Sequence, residues 1–168
     1  EDPFYGVRIE AAMALAKHDS SEAAEILHTS WKGQTDARVR REVIAAMLKS
    51  YRRDKRAWII DVLSTEKNPD LRALALESLA KYPDAETDRL LVDFLHQDSF
   101  EDAYARAAIR TMLAMGSPNF VDPLMAAIAE RTQWGPDTRS MALRAIGQLG
   151  AQLQDKSKPR EVLFTNLE

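Results

Sequence analysis

With 168 residues, 45% apolar and 29% charged side chains, the chain has the balance of a packed domain, long enough to bury a core. The absence of cysteine excludes disulfides, thiolate metal sites and a cysteine nucleophile and leaves the compartment open. A net charge of −3 argues against a surface built throughout for nucleic acid, and the longest uncharged runs, such as Thr111 to Val121, fall short of the roughly 18 apolar residues of a membrane span.

Taken in order, the elements all read as helix. Asp2-Pro3 pairs a capping side chain with a proline whose missing amide is one that helix starts leave unbonded, and Val7, Ala11 and Leu15 then share one helix face. Ser21 to Trp31 is a second amphipathic stretch with Ala24, Leu27 and Trp31 on its stripe, and Gly33 is a stop. Val39, Val43 and Met47 repeat the first pattern, and Asp54 to Leu63 follows with Trp58, Ile59, Val62 and Leu63. Asn68-Pro69 opens a third helix of the first kind (Leu71, Ala75, Leu79), and Ala85 to Leu95 carries Leu90, Leu91, Phe94 and Leu95. Ala105, Ile109 and Leu113 come next, then Gly116, Ser117-Pro118 and an amphipathic run to Ile128. Thr138, Ala142 and Ile146 lead to Gly150, and Pro159 to Glu168 (Val162, Leu163, Leu167) starts one more helix. No period-two pattern competes with this reading.

The first of each pair has the same core: a small or apolar residue, then arginine, then apolar residues three and seven positions on. The arginines Arg8, Arg40, Arg72, Arg106 and Arg139 are 32, 32, 34 and 33 residues apart. A helix pair of this length cannot bury both faces alone, so stacking at a fixed period predicts an all-α fold, an α-solenoid of about five helical hairpins in one repeat domain over residues 1–168. The chain begins at Glu1 without a basic and apolar leader, and both ends fall in mid-repeat. The expectation is therefore a segment of a longer protein whose end faces are covered by further repeats or another domain.

A cation near a helix N-terminus opposes the dipole, so the five arginines need anions. Asp36, Asp70, Asp102 and Asp137 precede four of them by two or four residues, and Asp2 precedes Arg8, which predicts a structural Asp/Arg ladder between repeats.

The five units, with their Asp-x-x-Val-Arg-x-x-Ala-x-x-x-Leu core, resemble HEAT repeats across nearly the whole chain. The opening Asp2-Pro3-Phe4-Tyr5-Gly6-Val7-Arg8-Ile9-Glu10-Ala11-Ala12 resembles the start of the C-terminal HEAT-like region of bacterial zinc aminopeptidases of the aminopeptidase N type. Asp98-Ser99-Phe100 leading to Ala105-Arg106-Ala107-Ala108 is similar to the spacing of that region's middle repeats. The resemblance implies an accessory role: a helical domain that closes over the catalytic domain, restricts access to it and can contact the far end of a peptide. The family's His-Glu-x-x-His helix and Gly-x-Met-Glu-Asn segment do not occur here, so the zinc belongs to the parent's catalytic domain and this chain has no cofactor of its own. Related helical regions also occur in free-standing scaffolds, which leaves a protein-binding scaffold as the alternative.

Bond-breaking chemistry finds no footing. His18, His28 and His96 lack metal-ligand spacing, and neither a Gly-x-Ser-x-Gly elbow nor a phosphate loop occurs, so no catalytic and no metal-binding residue is assigned. Contact residues are sought instead in the stretch from Lys32 to Arg56, where nine basic residues face three acidic ones. If Arg40, Arg41, Arg52, Arg53, Lys55 and Arg56 converge, they could hold a peptide carboxylate or an acidic partner face. The bland alternative is a solvated, salt-bridged surface with Glu42, Asp54 and Asp61. Nucleic acid is disfavoured, because only Tyr51 and Trp58 supply aromatics there. Trp31 and Trp58 fall on core stripes, whereas Trp134, in the turn from Thr132 to Pro136, either packs over a repeat junction or faces a partner.

Overall fold

In a computed structural model, residues 4–18, 20–49 and 55–167 are described. They form ten α-helices and no strand. The helices are α1 (Tyr5–His18), α2 (Ser21–Ser30), α3 (Ala37–Leu48), α4 (Lys55–Thr65), α5 (Pro69–Ser78), α6 (Ala85–His96), α7 (Ala103–Met115), α8 (Val121–Glu130), α9 (Pro136–Gly150) and α10 (Ser157–Thr165). Odd-numbered helices carry the recurring arginine and even-numbered ones are the second members of each hairpin, so the fold is the all-α solenoid class that the period predicts.

Helix starts are set by side chains that accept orphan amides. Ser20 takes the Ala23 amide at 3.1 Å, Asp36 that of Arg38 at 2.9 Å, Asn68 that of Asp70 at 2.9 Å and Asp84 that of Thr87 at 2.7 Å. Gly116 ends α7 in the left-handed region (φ 69°), where a Cβ would be strained. Two boundaries differ from the sequence reading. Trp31 lies in a 3-10 turn (Trp31–Gly33) after α2, and the stretch from Ser117 splits into a 3-10 turn (Pro118–Phe120) and α8. Pro123 stands in the first turn of α8, where its missing N–H is tolerated.

Contacts divide the chain into two compact units, Glu1–Ser78 and Leu79–Glu168. In the first, α3 packs between α1 and α5, with α2 against α1 and α3 and α4 against α5. In the second, α7 packs on α9, α6 on α7 and α8, and α10 on α8 and α9. Within each unit, odd-numbered helices pack on the equivalent helix of the next repeat, α1 on α3, α3 on α5 and α7 on α9, as stacked repeats do.

The recurring apolar positions form the core. Val39, Val43 and Met47 of α3 are buried, as are Leu71, Ala75 and Leu79, then Ala105 and Ile109 of α7, and Thr138, Ala142 and Ile146 of α9. The first repeat departs from this. In α1, Val7 is 53% exposed, Ala11 is exposed and Leu15 half-exposed, so Ala12 is that helix's one buried residue. The sequence assigned this strip to a packed face; nothing among the described residues lies over it. Trp58, expected in the core, is half-buried and stacks on His28 instead, with ring centroids 4.6 Å apart and 11° between planes.

Met47 and Leu15 occupy the same repeat position in these two settings. Met47→Ala should cost roughly 2–5 kcal/mol, a large-to-small change in a closed core, and Leu15→Ala clearly less. Denaturant unfolding of both variants checks this, and equal losses would mean that the α1 strip is covered.

Candidate interaction surface

Arginines on α1, α3 and α9 tie each of these odd-numbered helices to the segment that follows its even-numbered partner. Arg8 donates from Nη1 to Gln34 Oε1 at 2.9 Å, Arg40 from Nε to Glu66 Oε2 at 3.0 Å, and Arg139 from Nη2 to Asn166 Oδ1 at 3.1 Å. Each acceptor lies 26 or 27 residues on, after the following even-numbered helix. Arg40 also donates from Nη1 to the carbonyls of Gln34 and Thr35, and Arg139 to that of Ile128. Of the predicted aspartates, Asp2 lies outside the described residues, and Asp36 and Asp102 have other partners. Asp36 caps α3 and holds Arg38 through both oxygens, and Asp102 accepts the Gly135 amide at 2.8 Å, 33 residues away. Arg131 pairs with Asp98 across the same interval. For Arg8, Arg40 and Arg139 the acceptors are therefore glutamine, glutamate, asparagine and carbonyls, which a long guanidinium reaches past the following helix. Arg8, Arg72 and Arg106 bury Nε with no acceptor among the described residues.

Asp102 and Glu101 both have positive φ, 54° and 49°, which costs about 1–3 kcal/mol each for residues with a Cβ. Two bonds hold that turn, the Asp102 carboxylate on Gly135 and the Ser99 hydroxyl accepting the Tyr104 amide at 3.0 Å.

The basic residues proposed from the sequence as one contact site have separate fates. Arg40 is taken up by Glu66 and the two carbonyls, with a side chain only 21% exposed. Lys55 is buried and engaged, and Arg56 is half-buried and engaged. Arg41 is exposed and pairs with Glu42 at 3.1 Å. Arg52 and Arg53 lie outside the described residues, with Tyr51 and Asp54. Arg40 and Lys55 are therefore corrected to internal structural cations. Trp134, for which the sequence left packing or exposure open, is 4% exposed and packed into the turn between α8 and α9, and its indole N–H meets no acceptor among the described residues.

Among the described residues, no group of three His, Cys, Asp or Glu side chains is placed to hold a metal ion. His28 lies 3.4 Å from Asp61, which also takes Lys32 at 2.8 Å, and His96 lies 3.6 Å from Glu130. Both histidines join one even-numbered helix to the next. No described helix is long and apolar enough to cross a membrane.

What the surface does offer is exposed apolar area and two shallow grooves. Phe4 (73% exposed), Tyr5, Val7 and Met13 stand out from α1 and its start. Arg38 lies 3.9 Å over the Tyr5 ring and fixes that side chain from α3. A groove of about 320 Å³ between α1 and α3 has Met13, Ala16, Ala45 and Ala46 along it and Lys17, Glu42 and Lys49 at its rim. A second, of about 350 Å³, lies between α6 and the start of α8.

Comparison with known proteins agrees with the period and the hairpins. The family model described as HEAT repeats matches residues 1–80 and 56–135. The chain belongs to the HEAT-repeat family. Such repeats are helical scaffolds, often protein-binding and generally non-catalytic. No curated protein sequence matches the chain.

Glu66 is buried, takes Arg40 on one oxygen, and accepts the Lys67 and Asn68 amides at 2.8 and 2.9 Å on the other. Glu66→Ala should destabilise the HEAT unit by about 1–3 kcal/mol, since it strands a charged donor and two amides. Chemical denaturation checks it, and a loss near zero would mean water replaces all three bonds.

The Arg38 guanidinium, and then its amide, hold the Asp36 carboxyl below its ordinary value of 3.8, at about 2. A depressed folded-state pKa contributes stability that is present above the unfolded value and lost as pH falls through the folded one. Thermal unfolding should therefore show Asp36→Asn below the wild type at neutral pH, with the gap closing between about pH 4 and pH 2. A gap that persists at pH 2 would mean that the carboxylate charge is not its source.

Proposed function

We propose that this HEAT segment is a non-catalytic accessory domain that docks on a neighbouring protein body through the open strip of α1. The body that fits best is the catalytic domain of an aminopeptidase N-like zinc metallopeptidase. One observation carries the reading: Val7 and Ala11 sit at repeat positions that are buried in α3, α5, α7 and α9, yet in α1 they face solvent together with Phe4, Tyr5 and Met13. Contiguous exposed apolar side chains at positions patterned for burial mark a surface built to be covered. Phe4, Tyr5 and Val7 also belong to the stretch from Asp2 to Ala12 that carries the resemblance to the aminopeptidase region, which favours the metallopeptidase parent over an unrelated body. Zinc and its ligands would come from that catalytic domain. The HEAT segment would limit how a peptide reaches them, and the α1–α3 groove lies beside the same strip, where the far end of a long peptide could touch it. The second reading is a free scaffold whose same strip takes a different protein partner.

Val7→Glu with Met13→Glu changes two exposed side chains and should leave thermal unfolding of the segment within about 0.5 kcal/mol. The same pair should weaken docking of the separately produced catalytic domain at least about tenfold by titration calorimetry, a loss of about 1.4 kcal/mol. Docking that is absent or unaffected by the pair contradicts the metallopeptidase reading. Docking of a protein that is not a peptidase, lost in the same variant, selects the scaffold.

A further inference from the structure

The second groove lies on the even-numbered helices of the unit Leu79–Glu168, apart from the α1 strip. Its floor is apolar: Phe120, 1% exposed, at the end of the 3-10 turn before α8, with half-buried Val92 and Pro123. Its α6 wall carries Asp88, Arg89 and Asp93. At about 100° per residue, Asp88, Val92, Arg89 and Asp93 follow one another around roughly 140° of that helix. The two carboxylates therefore edge the strip, with the apolar side chain and one arginine between them.

Two features set this groove apart from an ordinary crease between helices. First, the side chains of Asp88, Arg89 and Asp93 make no hydrogen bond or ion pair among the described residues, whereas Asp84, Asp98 and Asp102 nearby are each engaged in a cap or a cross-repeat bond. Second, the surrounding stretch is strongly acidic. Residues 84–102 hold seven carboxylates (Asp84, Glu86, Asp88, Asp93, Asp98, Glu101, Asp102) against one arginine. A field of that sign attracts cations from several ångströms away and is weakened by salt.

We propose that this groove binds a short basic segment of a partner protein. An arginine or lysine of the segment pairs with Asp88 and Asp93, and an aliphatic neighbour of that residue lies on the Val92, Phe120 and Pro123 floor. Charge complementarity selects the occupant, because an acidic or nucleic-acid ligand would meet the unengaged Asp88 and Asp93 carboxylates at the groove's edges. Arginine also suits the site through its planar fork, which can engage a carboxylate with two parallel bonds. At about 350 Å³ the groove has room for only a few side chains, so the contact is weak and reversible and adds to docking elsewhere on the chain. Arg89 is a competing cation in the strip and sets the upper limit on affinity.

Fluorescence anisotropy with a labelled pentapeptide of alternating arginine and leucine tests this on the full chain. Binding should weaken at least about fivefold in Asp88→Asn/Asp93→Asn, tighten about twofold or more in Arg89→Ala, and fall with added salt. Neutralising exposed carboxylates elsewhere, in Glu10→Gln/Glu161→Gln, should leave it unchanged, and thermal unfolding of each variant shows whether the fold is intact. The proposal is overturned if the glutamate-for-arginine peptide binds as well, if both neutralised pairs lose affinity alike, or if the groove variant folds and binds like wild type. It is likewise overturned if light scattering finds a dimer that Asp88→Asn/Asp93→Asn disperses, since a second copy would then fill the groove.

Discussion

A helix that is apolar along one strip can be stabilised only by whatever lies over that strip, and in this chain the cover is the equivalent helix of an adjoining repeat. Val43 and Met47, three and seven positions after Arg40, are enclosed, with α3 packed between α1 and α5. The equivalent Ala11 and Leu15 of α1 are exposed and half-exposed. Stability in such an array is close to a sum of hairpin and nearest-neighbour terms, so an uncovered end is both the weakest part and the part most suited to receive another body.

Polar links have two intervals. Arg8 with Gln34, Arg40 with Glu66 and Arg139 with Asn166 tie an odd-numbered helix to the segment that follows its even-numbered partner, whereas Arg131 with Asp98 and Asp102 with Gly135 join positions 33 residues apart in successive repeats. An exposed pair such as Arg131 with Asp98 contributes little individually, whereas Glu66 is buried against Arg40. The larger effect of such links is on register, because a guanidinium that reaches a single acceptor in the next turn disfavours a slipped stack. Arg40 shows why a basic residue in a charge-rich stretch need not be a binding group: its donors are already used inside the fold.

Much of the architecture could be read from residue order alone, since a period of 32 to 34 residues, capping Asp, Asn and Ser, and Gly116 as a stop each act locally. Every helix of the structure falls within a residue or a few of the segment its pattern marks. The surface was less legible. Charge counting grouped Arg40, Arg41, Lys55 and Arg56, but counting does not see that Lys55 is buried or that Arg40 turns toward Glu66. The position of Trp134 in a turn leaves packing and exposure both open to a reader of the sequence, and only its 4% exposure decides for packing. The groove at Asp88 and Asp93 was passed over because it needs Phe120 and Pro123 from a different hairpin, although the run of carboxylates in residues 84–102 was visible as a signal.

The two surfaces differ in kind. The α1 strip is apolar and suited to a lasting contact, whereas the α6 groove is charged and suited to a reversible one. The account depends most on the first, and residue-resolved native-state hydrogen exchange tests it directly. Amides of Val43 to Met47 in α3 should exchange only through the largest openings, and those of Ala11 to Leu15 in α1 through openings of clearly lower free energy. Equal protection in the two helices would contradict it, because the α1 strip would then already be covered within the isolated chain.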